Sequence, residues 1–145
     1  MIDTPDYKNL LSSEGTWTKA QFNSWHKRNT LKTDMASNHL LGIGWSTKLI
    51  NVYLKTMVYA GQIGPSSLMN VIHPPIDKGL WDGIKEKYRA EKSVIAKTHV
   101  VQTIKGIDSY DIYETIISGI EQITKREKWR LIEVETLWTG TKYKI

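Results

Sequence analysis

Two residues near the middle of this chain carry side chains suited to breaking a covalent bond, Lys48 and Asp77. Lys48 follows a Gly-x-Gly turn, Gly42-Ile43-Gly44, and Asp77 follows the double proline Pro74-Pro75. A lysine on a largely apolar helix loses solvation, which favours the neutral, nucleophilic amine. Such an amine can attack an electrophilic sugar carbon and form a Schiff base. The structural alternative is a snorkelling lysine with a packed stem and a wet head. An aspartate pinned by two prolines at a helix start is preorganised to stabilise a sugar oxocarbenium ion or to position a water. Its structural alternative is a helix cap. A Gly-x-Gly turn before a helix presents backbone N–H groups that bind phosphate without help from side chains. The order of glycine turn, lysine and Pro-x-Asp points to a nucleic-acid site.

The stretch LLGIGWSTKLIN followed by IHPPIDKGLW resembles the helix-hairpin-helix DNA glycosylase superfamily, over roughly residues 39–82. In that family a Leu-Pro-Gly-Val-Gly hairpin binds DNA phosphate, a catalytic lysine follows in the bifunctional members, and a Pro-Val-Asp segment supplies an essential aspartate. Leu41-Gly42-Ile43-Gly44 matches the hairpin, with Leu41 where the family has proline. Lys48 matches the lysine and Pro75-Ile76-Asp77 the aspartate segment, at a wider interval that implies an insertion near GQIGPSS. The resemblance implies a base-excision glycosylase, with or without lyase activity, that extrudes a nucleotide from the stack. Lys48 and Asp77 would be catalytic, and Trp45 or Trp81 would stack on the extruded base. Lys55, Lys78, Lys27 and Arg28 would hold the backbone beside Gly42 and Gly44. His73, next to Pro74, is a further candidate as an acid or a phosphate contact.

Two other classes fit parts of the sequence. Glu133 and Glu135 in LIEVETLW, with Asp77 or Asp108, suggest a Mg²⁺-dependent nuclease. Glutamates two apart share a side only in a strand, however, and helix is expected there. A non-enzymatic basic helical protein that binds nucleic acid or a partner, of phage or mobile-element type, accounts for the charge and the tryptophans without catalysis. His26, His39, His73 and His99 lack ligand spacing, so no metal site is expected. No nucleophilic serine or cysteine arrangement stands out, and no cofactor is expected.

The elements that must position these residues read as helices. Asp3 or Thr4 before Pro5 suggests a short first helix bearing Tyr7, Leu10 and Leu11. Thr18 opens a second helix with Phe22 and Trp25 on one face and a basic cluster of Lys27, Arg28 and Lys32 near its end. Gly42 and Gly44 form the hairpin, and Ser46 is the expected cap of a helix running to about Ala60, with Gly61 past its end. Leu49, Ile50, Tyr53, Leu54, Met57 and Val58 cover more than half of that helix, which is expected to be central and mostly buried. Lys48 and Lys55 fall seven apart on one face. Asp77 falls in the first turn of a helix with Ile76, Leu80, Trp81, Ile84 and Tyr88 inward. Helix is expected over 98–105, although β-branched runs compete there. Asp108 or Ser109 caps a helix with the stripe Ile112, Tyr113, Ile116, Ile117, Ile120 and Ile123. A last helix is expected around Leu131, Val134 and Trp138, before an exposed basic tail, TKYKI. The expected fold is one compact all-α domain of five to seven helices, with a glycine hairpin before the central helix.

Composition agrees with that frame. At 145 residues the chain is long enough to bury a core as a single domain. Its net charge of +5 favours polyanion partners such as nucleic acid, and the resemblance implies DNA. Zero cysteines leaves no disulfides or thiolate metal sites. No apolar run approaches the ~20 residues of a membrane span, and the N-terminus lacks signal-peptide order. A cytoplasmic protein is expected.

Overall fold

The computed structural model describes residues 5–139, so Asp3, Thr4 and the tail TKYKI lie outside the described residues. All regular structure among those described is helical, as the apolar spacing predicts. Six α-helices are joined by one π-helical turn and two 3₁₀ segments. The helices are α1 (Tyr7–Ser12), α2 (Lys19–Ala36), α3 (Gly42–Leu54), α4 (Lys78–Tyr88), α5 (Lys92–Thr98) and α6 (Tyr110–Glu127). The π-turn Lys55–Ala60 extends α3, and 3₁₀ segments cover Ser66–Asn70 and Leu131–Leu137. No helix among the described residues is long and apolar enough to cross a membrane.

Local sequence explains most helix starts. Thr18 accepts the Gln21 N–H while the Gln21 side chain accepts the Thr18 N–H, a capping box that fixes the entry of α2. Ser109 accepts the Ile112 N–H and starts α6. Ser46, expected as a cap, instead lies inside α3, and its hydroxyl donates back to the Gly42 carbonyl. The helix begins at Gly42, five residues before the start that a Ser46 cap implies, and the Asp34 carboxylate takes the Gly42 N–H from outside the segment. Past the π-turn, Gly61 is still right-handed, and the left-handed position falls one residue later, on Gln62.

Two apolar clusters form the core. One gathers α4, α5 and α6 around Leu80, Trp81, Tyr113, Ile116 and Ile120, and reaches Ile43 of α3. The other gathers α1, α2, α3 and the Ser66–Asn70 segment around Phe22, Trp25, Ile50, Leu54 and Leu68. Helix α3 contributes to both, which makes it central. It is only half-buried, however: Leu49 is 50% exposed and Tyr53 lies outward, while Ser46, Thr47 and Asn51 are buried. The buried face of α3 is thus partly polar, contrary to the expectation from its apolar spacing. Trp45, Leu49 and Val52 form an outward stripe instead.

Residues 89–106 divide differently from expectation. The helix occupies Lys92–Thr98, and residues 99–109 form an irregular connection. The run Val100, Val101, Thr103 loses rotamer freedom in a helix, and the open backbone here meets other needs: the Ile107 carbonyl accepts the Gly44 N–H. The last helix is a 3₁₀ segment rather than an α-helix. It is a staple, since Ile132 packs into the α2–α3 cluster and Val134 into the α4–α6 cluster. Its backbone also lies against α4 so closely that a Cβ on Gly83 would overlap the Leu137 carbonyl.

Candidate active site and the buried polar seam

The hairpin before α3 is held by one carboxylate. Asp34 Oδ1 accepts the Gly42 N–H at 2.9 Å, and Oδ2 lies 2.7 Å from His39 Nδ1. The turn needs left-handed backbone at Asn38, His39 and Gly42, with φ of 56°, 62° and 74°; only at Gly42 is that conformation free of a Cβ penalty. Gly44 is required for a different reason, because a Cβ there would overlap the Ile104 carbonyl. Of the first-turn N–H groups that a helix start leaves open, those of Gly42 and Gly44 are therefore taken internally. Only the Ile43 and Trp45 N–H groups could contribute to a phosphate contact.

One turn into α3, Lys48 Nζ lies 3.6 Å from Asp77 Oδ2. The two side chains are 25% and 20% exposed, so neither is solvated freely nor sealed in. The double proline brings Asp77 in extended, at φ −152° and ψ 179°, and its Oδ1 caps α4 by accepting the Leu80 N–H at 3.1 Å. The same oxygen accepts the Trp138 indole N–H at 3.0 Å. Glycine at 79 is what lets that indole lie on the first turn of α4, since a Cβ would overlap it. Lys48, Asp77, Asp82, Ile104 and Trp138 line an open cavity of about 400 Å³. Ile104 also borders the neighbouring cleft around the hairpin, so the glycine turn, the lysine and the aspartate are contiguous. Lys48 Nζ stands 5.3 Å from the ring centroid of Trp45, which is 42% exposed.

The other candidates divide. Lys55 is paired with Glu135 at 2.7 Å and Lys78 with Asp82 at 2.6 Å, so each already carries a counter-charge. Trp81 is 3% exposed and donates its indole N–H to the Thr98 carbonyl. It is a core residue that no extruded base could reach, which leaves Trp45 as the accessible aromatic of the pair. Glu133 accepts the Arg130 N–H and Glu135 pairs with Lys55, so the two glutamates serve separate structural contacts. No group of three histidine or acidic residues spaced for a metal ion occurs among the described residues.

His73 is also buried, and it belongs to a polar seam between the two apolar clusters. The proton order of this seam follows from one fixed point. Asn51 Nδ2 lies 3.1 Å from the Pro74 carbonyl, which can only accept. The opposite atom, Asn51 Oδ1, must then accept from His26 Nε2 at 2.8 Å. His26 Nδ1 is left as an acceptor for the Tyr110 hydroxyl at 2.6 Å. Asn51 Nδ2 also donates to the Tyr113 hydroxyl at 2.9 Å, which donates onward to His73 Nδ1 at 2.8 Å. His73 Nε2–H finally donates to Asn23 Oδ1 at 2.9 Å. Both imidazoles are neutral Nε2–H tautomers, with ring centroids 4.4 Å apart. Burial lowers the His26 pKa to about 4, opposed by the hydrogen bond to Asn51. His73 is pushed well below the ordinary histidine value by burial, then by the charge that a protonated His26 would place beside it and by that of Lys19. Burial likewise raises the Tyr110 and Tyr113 hydroxyls. In the sequence His26, Asn51 and Tyr113 are far apart, and the one local sign is a buried-face position on α3 occupied by Asn. Nothing in LWTG links Trp138 to Asp77 in the sequence.

Comparison with family models, curated proteins and solved structures finds no match for this chain.

Proposed function

We propose that the protein acts on nucleic acid, as a DNA base-excision glycosylase with Lys48 and Asp77 as its reacting pair. The observation that carries this reading is the 3.6 Å approach of Lys48 Nζ to Asp77 Oδ2 in an open cavity beside the glycine hairpin. In that reading Asp77 stabilises positive charge on the sugar as the base departs, and then accepts a proton from the Lys48 ammonium. The freed amine adds to the C1′ cation left by the departed base, and the C1′–O4′ bond then opens, with Asp77 passing its proton to O4′ and the nitrogen keeping the Schiff base. Trp45 stacks on the extruded nucleotide, and the net charge of +5 draws the duplex towards the site. Trp138 holds Asp77 Oδ1, so that Oδ2 remains directed at Lys48.

The test is borohydride trapping on duplex oligonucleotides carrying abasic sites and a panel of modified bases. A covalent adduct that disappears in Lys48→Gln, and base release lost in Asp77→Asn, would support the reading. A panel with neither adduct nor base release would remove it. A non-enzymatic reading has its own support: Asp77 already has a helix cap, an indole and an ammonium as partners. On that reading the pair is a latch, and the outward Trp45–Leu49 stripe of α3 binds nucleic acid without chemistry. Unchanged DNA affinity in Lys48→Gln, with no adduct in either protein, would favour it.

A further inference from the structure

A second site lies where the polar seam reaches the surface. Two adjoining cavities, of about 190 and 310 Å³, share Asn23, His73, Ile117 and Glu121 and together form a groove between α2 and α6. None of their lining residues borders the Lys48–Asp77 cavity. The floor is preorganised, because Asn23, which lines both cavities, has its Oδ1 held by His73 Nε2–H, and its amide N–H groups are left for a ligand. The rim carries four cations, Lys19, Lys27, Lys125 and Arg130, against two carboxylates, Glu114 and Glu121. Lys19 pairs with Glu121 across the groove. Lys125 and Arg130 have no carboxylate partner among the described residues. A groove with amide donors at its floor and two unneutralised cations at its rim suits a small dianion.

We infer that the α2–α6 groove binds a phosphate monoester, with Lys125 and Arg130 on the phosphate oxygens and the Asn23 amide as a further donor. The binding is independent of the Lys48–Asp77 chemistry. Because a free metabolite and a terminal phosphate of a nucleic acid present the same group, the probes separate them: inorganic phosphate, a nucleoside 5′-monophosphate, and an oligonucleotide with and without a 5′-phosphate.

The experiment titrates each probe into the full chain, following the His73 ring and Asn23 side-chain amide by NMR and the heat by calorimetry. Saturable binding of the monophosphate is expected, with shifts at both residues. The double variant Lys125→Gln, Arg130→Gln should weaken it by about tenfold or more. Asn23→Asp keeps an acceptor for His73 but places an anion on the floor, and should abolish binding. If that variant loses its fold, the rim double variant, on exposed side chains, decides alone. Lys48→Gln should bind as the wild type does, so failure of the catalytic reading leaves this result untouched. Tighter binding of the phosphorylated oligonucleotide than of the monophosphate would assign the groove to nucleic-acid ends. The inference is overturned by an absence of saturable binding, by equal affinity in the variants, or by loss of binding in Lys48→Gln.

Discussion

Acid should unfold this protein through its polar seam, and the size of the effect can be worked out for His26. Its ring is fully buried and neutral, with a pKa lowered to about 4 against 6.5 in an unfolded chain. Between those values the unfolded chain holds a proton that the folded one refuses, so stability is complete above pH 6.5 and falls as pH drops towards 4. At pH 5 the unfolded form gains a factor of roughly 30 from protonation and the folded form almost none. That is a loss of about 2 kcal/mol relative to neutral pH, or on the order of 5 °C in thermal midpoint for a domain of this size. His73 is shifted in the same direction and adds to the loss. Partly buried His99 is lowered too and contributes a smaller, screened share. The assay is urea unfolding at pH 7.5, 6 and 5, alongside an NMR titration of the imidazole Cε1 protons. Wild type should lose stability steeply over that window, and His26→Gln should have a flatter profile from a lower starting point. A His26 ring that titrates near 6.5 in the folded protein, or a stability that is flat from pH 7.5 to 5, would refute the proton order assigned to the seam.

Other substitutions probe separate contacts. Tyr113→Phe deletes the hydroxyl that accepts from Asn51 and donates to His73, leaving both partners buried and short of one bond. It should cost about 1–3 kcal/mol in urea unfolding. Gly83→Ala places a methyl group on the Leu137 carbonyl and should cost about 2–3 kcal/mol, with a change in Trp138 fluorescence as the last segment lifts from α4. Asp77→Asn keeps an acceptor for the Leu80 N–H, so its thermal midpoint should stay within a few degrees of wild type. A large loss of stability there would mean that the ion pair with Lys48 is mainly structural.

The helical class, and the inward set of Ile76 just before α4 with Leu80, Trp81, Ile84 and Tyr88 on it, could be read from apolar spacing because all five side chains enter one apolar cluster. The same spacing misled on α3. Leu49 and Tyr53 look like core residues in sequence, but α3 turns Ser46, Thr47 and Asn51 inwards, the first two bonded back to carbonyls of their own helix and Asn51 joined to the polar seam. Periodicity reports which side chains are apolar, and it cannot say which face a neighbouring helix will cover. The approach of Lys48 to Asp77 was foreshadowed by their order after the glycine turn and the double proline. Trp138 and the His26–Asn51–Tyr113–His73 series were not, since those contacts join residues tens of positions apart with no local pattern. Trp81, an aromatic beside a candidate aspartate, looks accessible in sequence, but α5 covers it with the Thr98 carbonyl.

The Leu131–Leu137 staple also has a consequence for the order of assembly on the ribosome. Lys48, Asp77 and the hairpin emerge well before residues 131–139, yet Asp77 gains its indole partner from Trp138 and Lys55 its counter-charge from Glu135. Gly79 and Gly83 leave a bare track on α4 for that late strip of chain. During synthesis the α2–α3 pair can collapse early, while the candidate site stays open at one side until the strip after α6 arrives. Closing the site is a late step of assembly.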